Sequence, residues 1–468
     1  MSPTVASFGF AIVISGLFYL DRDKSLRISK ALWIPTIWLF VVSSRPLSMW
    51  LGMAPTFDSA EAYAEGSPLD RAVLLALLLA GVGVLMKRMD GVGPLLRRNG
   101  PVVAFFLFCG VSVLWSDFPA VAVKRWIKAI GDLVMVLIVL TEPDDMIALK
   151  GIVTRLGFLL FPLSVLFIKY YPDLGRVLTN SWTMEAIGVT EQKNTLGVIC
   201  MSYGICFLWM LRTTYRDRGN PSRGRRLVAH AAVLATIVWL LVVCNSMTSI
   251  VGLATAGAVM WLAGRPSLVR RPVVIHLLCF AVLGISVTAL FFDPGGDLLG
   301  AVGRDPTLTG RTEIWSVVLG LHTNPWIGTG FESFWLGDRL KAIWSYFQNF
   351  PINEAHNGYL EIYLNLGWIG VTLLAFLLLT GYRRVSAAFR TEPERGSLLL
   401  ALFLAALFES FTEAAFRMMS PAWVFLLLVI IAASKTASHE SSVPTTSEFA
   451  DYQESVWMFG SARVGIHQ

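Results

Sequence analysis

Residues 227–244 read LVAHAAVLATIVWLLVVC, eighteen positions with one basic side chain, His230, and no acidic one. A run of that kind crosses the hydrocarbon core of a bilayer as a helix, because about 20 residues match its thickness and a helix pairs every backbone group internally. Arg216, Arg218, Arg223, Arg225 and Arg226 precede the run, and Asn245 and Ser246 follow it at a tight turn. Comparable runs lie at 5–20, 31–51, 71–86, 101–115, 126–140, 151–168, 195–211, 249–263, 273–292, 359–380, 397–408 and 422–433. The reading is an all-α, polytopic transmembrane helix bundle of about thirteen spans (12–14) with a large, partly helical periplasmic loop. Composition agrees: 55% hydrophobic and 15% charged residues at a mean hydropathy of +0.62 exceed what a soluble core of 468 residues could bury.

Charge sets the expected orientation. Basic residues crowd the loops holding Arg22 to Lys30, Lys87 to Arg98, Arg212 to Arg226, Arg265 to Arg271 and Arg383 to Arg390, which the positive-inside rule assigns to the cytoplasm. The segments 52–70, 169–194 and 293–357 then face out. Lys124, Arg125 and Lys128 fall on an outward loop against this pattern, so they bind something or mark a topology error. The net charge of +6 is scattered among helix ends and forms no nucleic-acid face. The five cysteines, Cys109, Cys200, Cys206, Cys244 and Cys279, lie in apolar runs without C-x-x-C spacing and read as buried thiols. The N-terminus has no basic n-region or small-residue cleavage site, so no removable signal is expected. The chain divides into an N-terminal transmembrane bundle (1–292), a periplasmic loop (293–357), C-terminal transmembrane helices (358–433) and a polar, disordered tail (434–468). No fixed-period repeat is visible, which weighs against a transporter built from duplicated halves.

The loop 293–357 is too long for a bare connection, and such loops usually carry function. Ile314, Val317, Val318 and Leu321 recur at helical spacing, so a helix begins near Thr309. Arg311 then sits in a first turn, where the helix dipole disfavours a cation; with the free N–H groups it makes a site suited to phosphate, unless it pairs with Asp305 or Glu313. His356 stands where the loop re-enters the membrane, followed by Asn357, Glu361 and Asn365 on one helical stripe that should face a wet cavity. An imidazole there can accept a proton near neutral pH. His230, His276, His322, His439 and His467 lie in turn, cytoplasmic-end or tail contexts. Lys193 and Asn194 precede another span. Lys128 with Asp132, and Glu409, Glu413 and Arg417, form further polar helical sets, readable as salt bridges or as function. No phosphate-binding glycine loop, zinc helix motif or carboxylate-rich metal motif is present.

Three segments together resemble the bacterial O-antigen ligase and polymerase family, including ExoQ-type exopolysaccharide polymerases. They are Gly310-Arg311-Thr312-Glu313-Ile314-Trp315, Asn324-Pro325-Trp326-Ile327-Gly328-Thr329-Gly330, and His356-Asn357-Gly358-Tyr359-Leu360-Glu361 with Gly367 and Gly370. Weaker echoes are Leu114-Trp115-Ser116-Asp117 and Glu191-Gln192-Lys193-Asn194. The resemblance implies a polyprenyl-diphosphate-linked oligosaccharide donor, a glycan acceptor, and work in the lipid bilayer without metal or nucleotide. It also implies other polysaccharide export proteins as partners, no nucleic acid, and a bacterial cytoplasmic membrane location with the site facing the periplasm. In that family a loop arginine binds the diphosphate and a histidine acts as base, roles that fall on Arg311 and His356. A second family cation, often arginine, finds its match in Lys193, which lacks the bidentate fork. The expected chemistry is an inverting glycosyl transfer, with Asn194, Asn357, Tyr359 and Glu361 positioning substrate or histidine. The family resemblance favours polymerisation of repeat units over ligation to a lipid A-core. A non-enzymatic transporter of lipid-linked sugar is the reading from another class.

Overall fold

Prolines and capping side chains decide where the apolar runs start to coil. The computed structural model describes residues 2–22, 29–53, 66–178, 183–265, 309–321, 323–348 and 352–440, with isolated positions between 271 and 284. The longer elements are α1 (Pro3–Asp21), α2 (Trp33–Val42), α3 (Pro68–Met86), α4 (Met89–Arg98), α5 (Gly100–Val111), α6 (Pro119–Leu140) and α7 (Asp145–Tyr170). A short hairpin, β1 (Arg176–Leu178) against β2 (Met184–Ala186), precedes α8 (Lys193–Arg216), α9 (Arg223–Cys244) and α10 (Met247–Leu262). Then come α11 (Thr309–Gly320), α12 (Gly337–Tyr346), α13 (Gly358–Thr391), α14 (Pro393–Glu409) and α15 (Pro421–Glu440). Ser2, Ser67 and Asp144 each accept a backbone N–H from the first turn of α1, α3 and α7, which fixes those starts.

Burial sorts the helices. Most of α8 lies inside the bundle with α14 and α15 against it, whereas Phe8 and Ile12 of α1 stay more than 70% exposed, as lipid-facing side chains do. Among the described residues six helices (α1, α3, α7, α8, α9 and α13) are long and apolar enough to cross a membrane, or seven if α4 and the segment from Gly100 to Trp115, bent by 89°, count as one span. The expected thirteen is therefore corrected downward. The run at 31–51 breaks after ten helical residues, where Ser43, Ser44 and Arg45 precede Pro46. The run at 249–263 gives a 16-residue helix, and the run at 273–292 lies largely outside the described residues. The span read from residue 126 starts at Pro119, so Lys124, Arg125 and Lys128 belong to a helix and not to a loop. At the other end α15 continues past Ser434 to Glu440, and Lys435 meets Asp145 at 2.8 Å.

Two poles result. At one, Arg88 meets Glu142 at 2.7 Å, Arg226 meets Asp21 at 3.1 Å and Arg395 meets Asp145 at 2.9 Å. At the other, Arg45 donates to the carbonyls of Thr190 (3.1 Å), Gly188 (2.8 Å) and Leu174, tying the hairpin segment to the bundle. This second pole carries α11, α12 and the start of α13.

Candidate active site

The local architecture begins with a broken helix. At Gly367, φ is +63°, and a Cβ there would lie 2.3 Å from the backbone of Trp326, so only glycine fits. The loop of Asn324 to Gly330 docks into that break. Trp368 N donates to Pro325 O (2.9 Å), Ile369 N to Trp326 O (3.1 Å) and Gly330 N to Asn365 O (2.9 Å), satisfying groups the kink frees. Gly328, at φ +64°, rests equally closely on Asn365. The side chain of Asn365 then accepts from Ser333 N (2.8 Å) and Phe334 N (3.0 Å). Glu361, one turn above, accepts from the Trp335 indole (2.9 Å) and from Ala355 N (2.6 Å). Asn357 caps α13 through bonds of 3.0 Å to its oxygen from Tyr359 N and Leu360 N. The polar stripe expected to face a wet cavity is instead buried and spends its hydrogen bonds on holding the loop and the residue before it.

That residue is His356, whose backbone is left-handed at φ +48°. Its Nδ1 lies 3.2 Å from Glu413 Oε2 and 3.2 Å from Glu354 Oε1. A carboxylate only accepts, so Nδ1 carries hydrogen and Nε2 is left to accept a proton. Burial alone lowers the pKa of this imidazole. The hydrogen bond to Glu413 and the charges of Glu354 and Glu413 outweigh that, against repulsion from Arg311, and the net pKa stands above the ordinary value of about 6.5.

Glu413 gathers the rest. Its Oε1 accepts from Arg311 Nη2 at 2.9 Å and from Asn194 Nδ2 at 2.7 Å. Arg311, in the first turn of α11, pairs with Glu413, while Asp305 lies outside the described residues. Arg417 reaches Glu332 (3.2 Å) and Glu354 (3.6 Å). Glu354, His356 and Glu413 offer three ligand atoms within 4.8 Å and could hold a metal ion, but Arg311 and Arg417 each already occupy one of the carboxylates. Beside them opens a cavity of about 440 Å³ whose polar wall includes Arg71, Lys128, Glu191, Glu354, Glu413 and Arg417.

Of the residues singled out by sequence, Asn194, Arg311 and His356 converge on one carboxylate. Lys193 does not join them, since Glu185 on β2 takes its ammonium. Tyr359 packs its ring on Phe411 and Phe416. Lys128 and Asp132 form no i,i+4 pair; Asp132 accepts from the Trp38 indole and Met419 N, both at 2.8 Å. Glu332 and Glu354 were missed, although each lies two positions outside a quoted segment. Cys109, Cys200, Cys206 and Cys244 are buried thiols, as read; Cys279 and His322 lie outside the described residues.

Residues 231–375 match the O-antigen ligase family, a span that takes in Arg311 and His356 but ends before Glu413. The exopolysaccharide production protein ExoQ of Rhizobium meliloti (strain 1021) is similar, 27% identical over 297 residues. Both likenesses point to the O-antigen ligase/polymerase family that the sequence motifs resemble. The alignment to ExoQ covers 60% of this chain and 64% of that relative, less than two thirds of its length. The matched region contributes the arginine helix, the loop in the kink and the histidine turn, while the carboxylate that joins them comes from the segment after α14.

Proposed function

We propose that this protein is a glycosyltransferase that extends a glycan carried on polyprenyl diphosphate, working in the bacterial cytoplasmic membrane with its site on the periplasmic side. The observation carrying the reading is the convergence of His356 and Arg311 on Glu413 beside a polar chamber. In the step proposed, an acceptor hydroxyl attacks the donor's anomeric carbon from the face opposite the diphosphate. The new C–O bond forms as the bond to the diphosphate oxygen breaks; that oxygen keeps the electron pair, and the hydroxyl proton passes to His356 Nε2. Configuration inverts. Glu413 is a positioning residue, holding Nδ1–H and stabilising the imidazolium as it forms. Arg311 commits one donor to Glu413 and has others for the growing negative charge of the diphosphate. Asn357 and Glu361 position the histidine by fixing the backbone on either side of it.

The likeness to an exopolysaccharide production protein favours polymerisation over transfer to a lipid A-core. Orientation rests on the cationic pole with Arg88, Arg226 and Arg395, which the positive-inside rule places in the cytoplasm. The test is reconstitution in liposomes with lipid-diphosphate-linked oligosaccharide and a chelator, following product size and released polyprenyl diphosphate. Ladders of longer glycan support the proposal. Bond formation only with a lipopolysaccharide core acceptor makes the protein a ligase, and movement of intact donor without a new bond makes it a transporter.

A further inference from the structure

Of the three cations that break the positive-inside pattern, one is accounted for within the protein: Arg125 donates to Glu332 O. Lys124 and Lys128, with Arg71 from the first turn of α3, border a groove of about 200 Å³ between α3 and α6. Its wall is apolar, built from Trp38, Leu74, Leu75, Leu78 and Ile127, and Leu75 and Ile127 are exposed. Among the described residues Arg71, Lys124 and Lys128 have no hydrogen-bond or ion-pair partner. The adjacent carboxylate of Asp70 is occupied by Ser48, whose N–H lies at 2.9 Å and hydroxyl at 2.5 Å. Arg125 and Arg71 repel the Lys128 ammonium, against attraction from Asp70 and Glu332. Like charges held together over an apolar trough call for a multiply charged headgroup on a hydrocarbon chain.

Arg71, Leu74 and Lys128 also line the 440 Å³ chamber, so the trough shares a wall with the space that reaches Glu354 and Glu413. We propose that the α3–α6 groove seats a second polyprenyl-diphosphate lipid, the acceptor, with its diphosphate on Arg71, Lys124 and Lys128 and its glycan running across the chamber to His356. This rests on the glycosyl-transfer reading. The donor reacts at the sugar bonded to its diphosphate, so its phosphates belong beside the base at Arg311. A lipid-linked acceptor reacts at the far end of its glycan, so its phosphates belong a glycan's length away. A single trough also suits one isoprenoid chain and not the several acyl chains of a lipid A-core.

The test uses the full chain in nanodiscs with sugar-free polyprenyl diphosphate as probe, counted by native mass spectrometry, with phosphatidylglycerol as competitor. The wild type is expected to take two equivalents. Arg71→Gln and Lys128→Gln should each weaken one of them about ten- to a hundredfold, the range for one charge-assisted contact. Arg311→Ala should weaken the other. Lys124→Gln, at an exposed position, should weaken the same equivalent as Lys128→Gln without disturbing the fold, and should raise the KM for acceptor but not for donor. One equivalent in the wild type, two full-strength equivalents in all three groove variants, or equal displacement by phosphatidylglycerol would overturn the proposal. Two equivalents with no glycosidic bond formed would sink the enzymatic reading and leave the groove standing. Chain growth by a protein that binds one equivalent would do the reverse.

Discussion

His356 occupies a backbone conformation that costs a β-carbon residue on the order of 1–3 kcal/mol, held by Asn357 and Glu361 around it. Replacing it by Ala should lower kcat about 10²–10⁴-fold while the protein still inserts, measured as glycan growth against the amount in the membrane. Full activity would remove it from the mechanism. The pH profile carries a sign. A base must be neutral to act, so with a raised pKa, activity is full at high pH and falls as pH drops through a midpoint above about 6.5. The stabilising effect of the charged imidazole runs the other way: fully present below the unfolded value, it is lost as pH rises through the folded one. Glu413→Gln should shift the activity midpoint toward lower pH and reduce kcat; an unmoved midpoint would show that Glu413 does not set the histidine's protonation.

At the scale of elements, the long helices and the start of α11 at Thr309 are legible in sequence, because hydrophobic runs and their periodicity are local properties. Arg311 and His356 are legible as candidates for a similar reason: each sits where local structure gives a polar side chain no structural motive. Their meeting through Glu413 is not legible, since it joins groups 102 and 57 positions apart in the chain. Nor is the burial of Glu361 and Asn365, because a helical stripe shows that side chains share a face but not what covers that face. The Asn324 to Gly330 loop covers it. Gly367→Ala forces a Cβ into the Trp326 backbone at a positive φ, so it should expel this loop. The expected result is a lower thermal midpoint and faster proteolysis within 324–348, with strain alone worth about 1–3 kcal/mol.

For the whole molecule, stability should concentrate at the pole away from the site. Asp145, 5% exposed, neutralises both Arg395 and Lys435 and so joins α7, α14 and α15. Asp145→Asn removes the carboxylate charge that both cations share and should cost about 3–5 kcal/mol, seen as a fall in unfolding temperature in detergent. Orientation can be read from engineered cysteines. A thiol replacing exposed Asp338 on α12 should react with a membrane-impermeant maleimide applied to spheroplasts, while one at Gly219 should stay protected. The opposite pattern would invert the topology.

The break at Gly367 also separates two mechanical jobs. Above it, the first turns of α13 are bonded to protein on every side through Trp335, Ala355, Ser333 and the docked loop. Below it, Trp368, Phe376 and Leu379 are exposed as lipid-facing residues. A bilayer that is thicker or thinner than the lower segment makes that segment tilt, as mismatched spans do. The break gives this tilt a place to be taken up before it reaches the histidine, so the proposed glycan extension should hold steady across lipids of different chain length.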